Sequence, residues 1–599
     1  MTPVAPKVGA DEEASGLSLL PHVLIELPNT VSLKIMSNYW TIAYFLIKLI
    51  SSTVSTCFEP STAFPVPSWP NGKHDLAPAF SAIGTGLDGL VANKKYDAVS
   101  ISVEITSQSE SLWSHFHTAR KQNSTRPGAS VVDGDSLYRI ASITKTFTVL
   151  GLLYQHEAGN LNLETPIKHY IPELTGSIPW HDITLRALAS QLSGIPRDFA
   201  QSDLLLELPD PTAIGLPPAS KENLVRCDEY ADFDPPCNET DLISWLNKAV
   251  PTFAPNQKST YSNIAYELIG LAIARATNQT FESYIQDSIL HPLNMTLSSF
   301  ATPDDTHAVL PLGPNYWGID EGVQNPTGGL YSSSADMSKF LRYVLTHYNA
   351  IATGINWLFP ASWGGSTESF YGMPWEIFRT DRILEDSRRP VTFATKGGGL
   401  PGYVTLISVL PEYGLGVTVL VAFQDTPEIL NEVQNLVTTS LVRAAEAFIW
   451  QDVEKVYDGT YTALDKHLNS TLELASSPST GLIVNTFISN STDILNHVAP
   501  GMFGNPTRAW RLQLFPTLLF KDEKKQEGEI FRLAPFFERD GKDRGAWDDF
   551  CFTEVDGQRY AGLPINEVVF WHERGEVEMP AWKVVMRRSE NDEKLVVQG

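Results

Sequence analysis

"YRIASITKTFTVLGLLYQHEAG", Tyr138 to Gly159, decides how this chain of 599 residues is read. Its apolar spacing predicts a buried helix, closed by Gly159 at the position past the C-terminal cap. The first turn nevertheless carries Ser142 and Lys145. Residues i and i+3 share a helix face, so the Lys145 amine can come within hydrogen-bond reach of the Ser142 hydroxyl. That is the layout of an amine-activated serine nucleophile. A blander reading makes Ser142 an N-cap and Lys145 a snorkelling first-turn residue. Against it, Ser142/Lys145 is the only S-x-x-K in the sequence. The pair also opens the most apolar helix in the middle of the chain, where a lysine sits badly with the helix dipole.

A nucleophile needs groups that take its proton, hold the oxyanion and return the proton to the leaving group. "KSTYSNIAYELIG" contains Tyr261 and Asn263, the only Y-x-N, on the loop that leads into a helix. "TKGGGLPGYVTLISVL" places Lys396 and the glycines Gly397, Gly398 and Gly399 at the start of an apolar strand. Taken singly, Tyr261 could be a core anchor, Asn263 a helix cap, and the glycines a bulge or hairpin.

Organisation follows from the patterning. "AVSISVEITS" and "SLWSHFHTA" predict strands, and helices are expected at Thr144 to Ala158, near Ser190, from Ile264, at "FESYIQDSIL" and at "SADMSKFLRYVLTHY". "YVTLISVLPEYGLGVTVLVAF" reads as two strands turned at Pro411 to Gly416, followed by a closing helix that ends near Phe448. Strands at both ends with helices between give an α+β fold: an antiparallel sheet with flanking helices and a helical subdomain. Beyond Trp450, short alternating segments such as "STLELAS", "GLIVNTFIS" and "EVVFWHE" predict an all-β C-terminal domain, a sandwich or small barrel. The expected division is a leader with an apolar segment and Pro-rich linker over 1–75, a catalytic domain over 76–448 and the β domain over 449–599.

S-x-x-K on a buried helix, Y-x-N before a helix and K-x-G on an edge strand, in that order, resemble the serine penicillin-recognising enzymes. Ala79 to about Phe448 is similar to the class C β-lactamase and esterase superfamily, and "ITLRALASQLSGIPRD" and "PTGGLYSSSADMSKFL" match its habits too. The resemblance implies a β-lactamase/transpeptidase-like fold in which Ser142 is acylated, Lys145 helps deprotonate it and Tyr261 is the general acid/base. It also implies that Asn263 orients Lys145 and the substrate amide, and that Lys396 keeps the phenol acidic. The oxyanion hole would use the backbone N–H of Ser142 and the Gly398–Gly399 strand, chiefly the N–H of Gly399. On physical grounds the two lysines and the phenol should depress one another's pKa values. One departure stands out, because the lactamases carry Thr or Ser where this chain has Gly397. That loss favours a wider-specificity hydrolase or transferase acting on an ester, amide or lactam. The rival reading is a catalytically silent acyl or peptide binder on the same scaffold.

Composition narrows the partners. A net charge of -25 argues against nucleic acid and against an anionic membrane surface, leaving a small-molecule or peptide substrate. No cofactor is expected: His115 and His117 alternate on one strand face, but no third ligand stands at metal spacing, and neither G-x-S-x-G nor S-D-N occurs. "WTIAYFLIKLISSTVSTCF", Trp40 to Phe58, has the length of a secretory h-region and fits a signal peptide or a signal anchor. It is the only route to a membrane that is expected. Cys227 and Cys237 bracket a loop that a disulfide could staple in an oxidising compartment. Sequons at Asn123, Asn238, Asn278, Asn294, Asn469 and Asn490 lean the same way.

Overall fold

The computed structural model describes residues 63–199, 203–222, 224–225, 236–387, 389–498, 510–537 and 555–589. The apolar segment at Trp40 to Phe58 and Cys227 with its acidic loop lie outside these residues.

Ten strands build the first part of the chain: β1 (Ser100–Thr106), β2 (Ser111–His117), β3 (Leu137–Arg139), β4 (Tyr331–Ser333), β5 (Ser362–Trp363), β6 (Ser369–Tyr371), β7 (Glu376–Thr380), β8 (Val391–Leu400), β9 (Tyr403–Leu410) and β10 (Leu415–Ala422). Eight of them form one antiparallel sheet in the order β2-β1-β10-β9-β8-β7-β6-β5, while β3 and β4 pair separately. β1 alternates Ile101, Val103 and Ile105 with Ser102 and Glu104, yet both of its faces are buried. Ile101, Val103 and Ile105 point into a core with the helices Ala77–Val91 and Ile429–Tyr457. Ser102, Glu104 and Thr106 take the opposite face, where helix Ser334–His347 packs. A second core joins helices Thr144–Glu157 and Ile264–Thr277 into the helical subdomain. The result is the α+β arrangement expected, with helices on both faces of an antiparallel sheet.

Two expectations are corrected. The Pro-rich stretch is no free linker in its described part, since Phe64 and Trp69 are buried in the core and the Trp69 indole donates to the Tyr413 carbonyl at 2.7 Å. The closing helix does not stop near Phe448 but runs on to Tyr457, because its buried stripe (Ala445, Ile449, Val453, Tyr457) continues past that point.

From Gly459 on, the described residues form a closed barrel. The strands Gly459–Ala463, Thr471–Ser477, Gly481–Ser489, Trp510–Asp522, Glu527–Phe537, Glu567–Trp571, Glu576–Met579 and Val584–Arg588 each pair antiparallel with the next, and the last pairs with the first. Eight strands leave an interior that side chains can fill. Leu472, Leu514, Phe570 and Met586 are among those buried in it. Of the two architectures open to the sequence, the structure selects the barrel. Tyr457 joins it to the long helix, its hydroxyl donating to Glu529 at 2.7 Å and its ring packing on Phe531 and Phe570.

Candidate active site

The segment "YRIASITK" is not helical from its start. Strand β3 ends at Arg139, Ala141 turns the chain with a positive φ of 50°, and a 3₁₀ turn over Ala141–Ile143 feeds the α-helix at Thr144. This detour costs backbone energy, which surrounding bonds overcome. Arg139, itself buried, pairs with Glu321, and the Thr405 hydroxyl of β9 donates to the Ile140 carbonyl at 2.9 Å. From Ala141 through Leu153 only Ser142 is not fully buried.

Lys145, wholly buried, donates to the Ser142 Oγ at 2.9 Å and to the Thr327 carbonyl at 2.9 Å. Thr327 lies on the short helix Asn325–Gly328, clamped to the nucleophile helix by a bond from Thr148 Oγ1 to the Pro326 carbonyl. Burial, which disfavours the ammonium, and the nearby charge of Lys396 hold the Lys145 pKa below its ordinary value, against the attraction of Tyr261.

Tyr261 stands where three cations converge. Lys145 Nζ, Lys396 Nζ and the Arg197 guanidinium lie 5.3, 5.2 and 4.7 Å from its ring centroid. Burial alone would raise its pKa, but the charges of Lys145 and Lys396, helped by the Ser142 hydroxyl, outweigh it and bring the phenol down to about 8. The loop after it is pinned: the Ser262 N–H donates to Gln191 Oε1 at 2.7 Å and the Asn263 N–H to the Arg197 carbonyl at 2.8 Å.

Lys396 sits on β8, which is an interior strand rather than an edge. Strand β7 covers it as far as Thr395, and beyond that point its edge is open toward the site. The pleat sends Lys396 and Gly398 to one face, where a Cβ on Gly398 would stand 2.4 Å from the Ile140 carbonyl oxygen and 3.0 Å from the Ser142 nitrogen. Glycine is therefore required for β8 to approach the nucleophile turn. The Gly397 N–H donates to Glu376 Oε2 at 3.0 Å, away from β9, and the two-residue period aims the Gly399 N–H at the same open edge.

Two electrostatic expectations fail. Lys396 is not depressed: burial works against its charge, but Glu376, 2.6 Å away, outweighs burial and raises its pKa. Asn263 makes no hydrogen bond to Lys145. Its amide donates to Asp198 and its Oδ1 has no hydrogen-bond partner, so its link to Lys145 runs only through Thr327, whose hydroxyl donates to the Asn263 carbonyl at 3.1 Å. Glu376 escaped the sequence reading because no local pattern marks it, while Arg197, Asp198 and Thr327 lay inside stretches noted for their resemblance but were given no role. Alternation in "EIFRT" was the one available signal, and it would have placed Glu376 on a strand without giving its partner.

Elsewhere, Asn238, Asn278, Asn294, Asn469 and Asn490 are exposed and Asn123 is half-buried, while Cys237 is buried. His115 stacks on Trp113, and among the described residues no cluster of three metal-ligating side chains occurs. Among the same residues no helix is long and apolar enough to cross a membrane.

Comparison with known proteins bears on the family of the chain. Residues 89–435 match the family described as Beta-lactamase, and residues 450–590 match the "Beta-lactamase-like-like, C-terminal domain". A probable hydrolase of Phoma sp. is 30% identical over 88% of this chain and 89% of its own length. A probable hydrolase of Cochliobolus lunatus is 30% identical over 90% and 92%, respectively. Among solved structures, a beta-lactamase/D-alanine carboxypeptidase from Yersinia pestis superposes with a TM-score of 0.46 at 22% identity, covering 61% of this chain and 99% of that one.

Proposed function

This chain belongs to the Beta-lactamase family of hydrolases, and on that premise we propose that it acts through a covalent Ser142 acyl-enzyme on an ester, amide or lactam. The observation that carries the reading is the 2.9 Å bond between a fully buried Lys145 amine and the one half-exposed residue of its segment, Ser142. A lysine held toward its neutral form can accept a hydroxyl proton, and a phenol with a pKa near 8 can exchange one close to neutral pH.

Ser142 Oγ attacks the acyl carbonyl while its proton passes to the Lys145–Tyr261 pair. The tetrahedral oxyanion lies between the N–H groups of Ser142 and Gly399, the first of them at a helix N-terminus. Collapse expels the alcohol or amine, which leaves with the proton returned by Tyr261. Water, or a second acceptor in acyl transfer, then attacks the ester on Ser142 with Tyr261 as base, and collapse breaks the Ser142 Oγ–acyl bond, releasing the acyl product as the proton returns to Oγ.

Intact-protein mass spectrometry after treatment with a fluorophosphonate tests this. One adduct on Ser142, with loss of both label and nitrophenyl-ester turnover in folded Ser142→Ala, is the expected result. Turnover by the Ala variant within a few-fold of wild type would refute it. Secretory targeting, a Cys227–Cys237 bridge and glycosylation at the exposed sequons complete the proposal, and non-reducing peptide mapping of secreted protein checks the bridge.

A further inference from the structure

The open edge of β8 offers two donors to an incoming anion, the Lys396 ammonium and the Gly397 N–H. Both are already engaged by one carboxylate. Lys396 Nζ lies 2.6 Å from Glu376 Oε1, and the Gly397 N–H donates to Oε2 at 3.0 Å. Glu376 is placed there by register, since it opens β7 opposite Thr395, one residue before Lys396. A cation plus a backbone N–H, each bound to one oxygen of the same carboxylate, is a complete anion seat, and the chain fills it with its own side chain. Vacating the seat would strand Lys396, whose side chain is only 1% exposed, as an unpaired buried charge. Of the other cations nearby, Lys145 faces Ser142 and the Thr327 carbonyl, and the more exposed Arg197 pairs through Nε with Asp198 at 3.2 Å.

We infer that Glu376 is a specificity-determining residue: it occupies the anion seat beside the nucleophile and restricts the enzyme to substrates that carry no carboxylate near Lys396. Neutral acyl esters and amides enter; acids of the same shape meet a like charge and find the Lys396 and Gly397 donors already taken. The inference rests on the acyl-enzyme reading of Ser142 and names the substrate class within it. It also gives Gly397 a physical setting, because a Cβ there would stand 3.5 Å from Glu376 Oε2, so this position faces the resident carboxylate.

The test compares p-nitrophenyl butyrate with mono-p-nitrophenyl succinate, acyl groups of equal chain length that differ by a terminal carboxylate, each rate normalised to alkaline hydrolysis. In the wild type, kcat/KM favours the butyrate by about tenfold or more, the scale of one like-charge contact. Glu376→Gln keeps the shape and the acceptor but removes the charge, and narrows that preference by about tenfold, chiefly through the KM of the succinate. Equal normalised efficiencies in the wild type overturn the inference without any variant, and so does an unchanged preference in folded Glu376→Gln. A wild type that turns over neither ester and takes no fluorophosphonate on Ser142 removes the acyl-enzyme reading itself, an outcome distinct from a failure of Glu376.

Discussion

Gly398 and Ser142 are in contact through an absent side chain: a Cβ on Gly398 would stand 3.0 Å from the Ser142 nitrogen and 2.4 Å from the Ile140 carbonyl oxygen. Strand β8 thus reaches the Ser142 turn only because this position is glycine, and on the proposed mechanism the gap between them would set the width of the oxyanion site. Gly398→Ala should push the two elements apart. A displaced oxyanion donor costs about 10² to 10³ in kcat, and that loss is expected on a nitrophenyl ester with circular dichroism unchanged. Activity within threefold of wild type would show that the approach of β8 is not needed.

On the proposed mechanism Tyr261 should set the acid limb of the pH profile. Its phenol must be ionised to act as base, and with a pKa of about 8 only about a tenth is ionised at pH 7. On a neutral ester kcat/KM should therefore rise about tenfold from pH 7 to pH 9 and then level. The groups facing the ring are Lys145, Lys396, Arg197 and Glu376. Lys396→Met removes a positive charge that holds the pKa down, so the limb must move to higher pH, toward the ordinary phenol value. Tyr261→Phe should lose about 10² to 10⁴ in kcat. A flat wild-type profile, or a limb that moves down in Lys396→Met, contradicts this account.

Gly397 has no positive φ, and a Cβ there makes only ordinary contacts, with Glu376 Oε2 at 3.5 Å the nearest. Gly397→Thr is therefore expected to fold, but its hydroxyl would be taken up by the resident carboxylate. Penicillin turnover should change less than about threefold in Gly397→Thr and rise about tenfold or more when Glu376→Gln accompanies it, one charge-assisted bond being worth at least that. A large gain from Gly397→Thr alone would mean that Glu376 does not control the seat.

Arg389 ties three distant segments together. Its guanidinium donates to Glu412 at 2.6 Å, to Glu446, and to the Tyr413 hydroxyl at 2.9 Å, and it lies 5.0 Å from the Phe64 ring centroid. Both carboxylates are almost fully buried. Arg389→Met leaves them uncompensated, a loss of about 3 to 5 kcal/mol that a shifted urea midpoint would register. A midpoint within experimental error of wild type would count against the cluster as an anchor of the fold.

What the sequence determined by itself was whatever the backbone repeats locally. β-branched and apolar runs marked β1, β2, β9 and β10, alternation marked most of the barrel strands, and the three-residue spacing of Ser142 and Lys145 predicted a contact that the structure shows at 2.9 Å. The order of the three motifs gave the family. What tertiary structure alone decided depends on register between distant segments. Glu376 lies twenty positions from Lys396, and only the pairing of β7 with β8 makes them partners, so the sequence reading depressed a lysine that the fold instead keeps charged. The same holds for Asn263, drawn to Asp198 rather than Lys145, and for Ala141, held at a positive φ by bonds from elements that local pattern cannot see. A sheet closed into a barrel is the extreme case, because closure is a property of the first and last strands together and of neither alone.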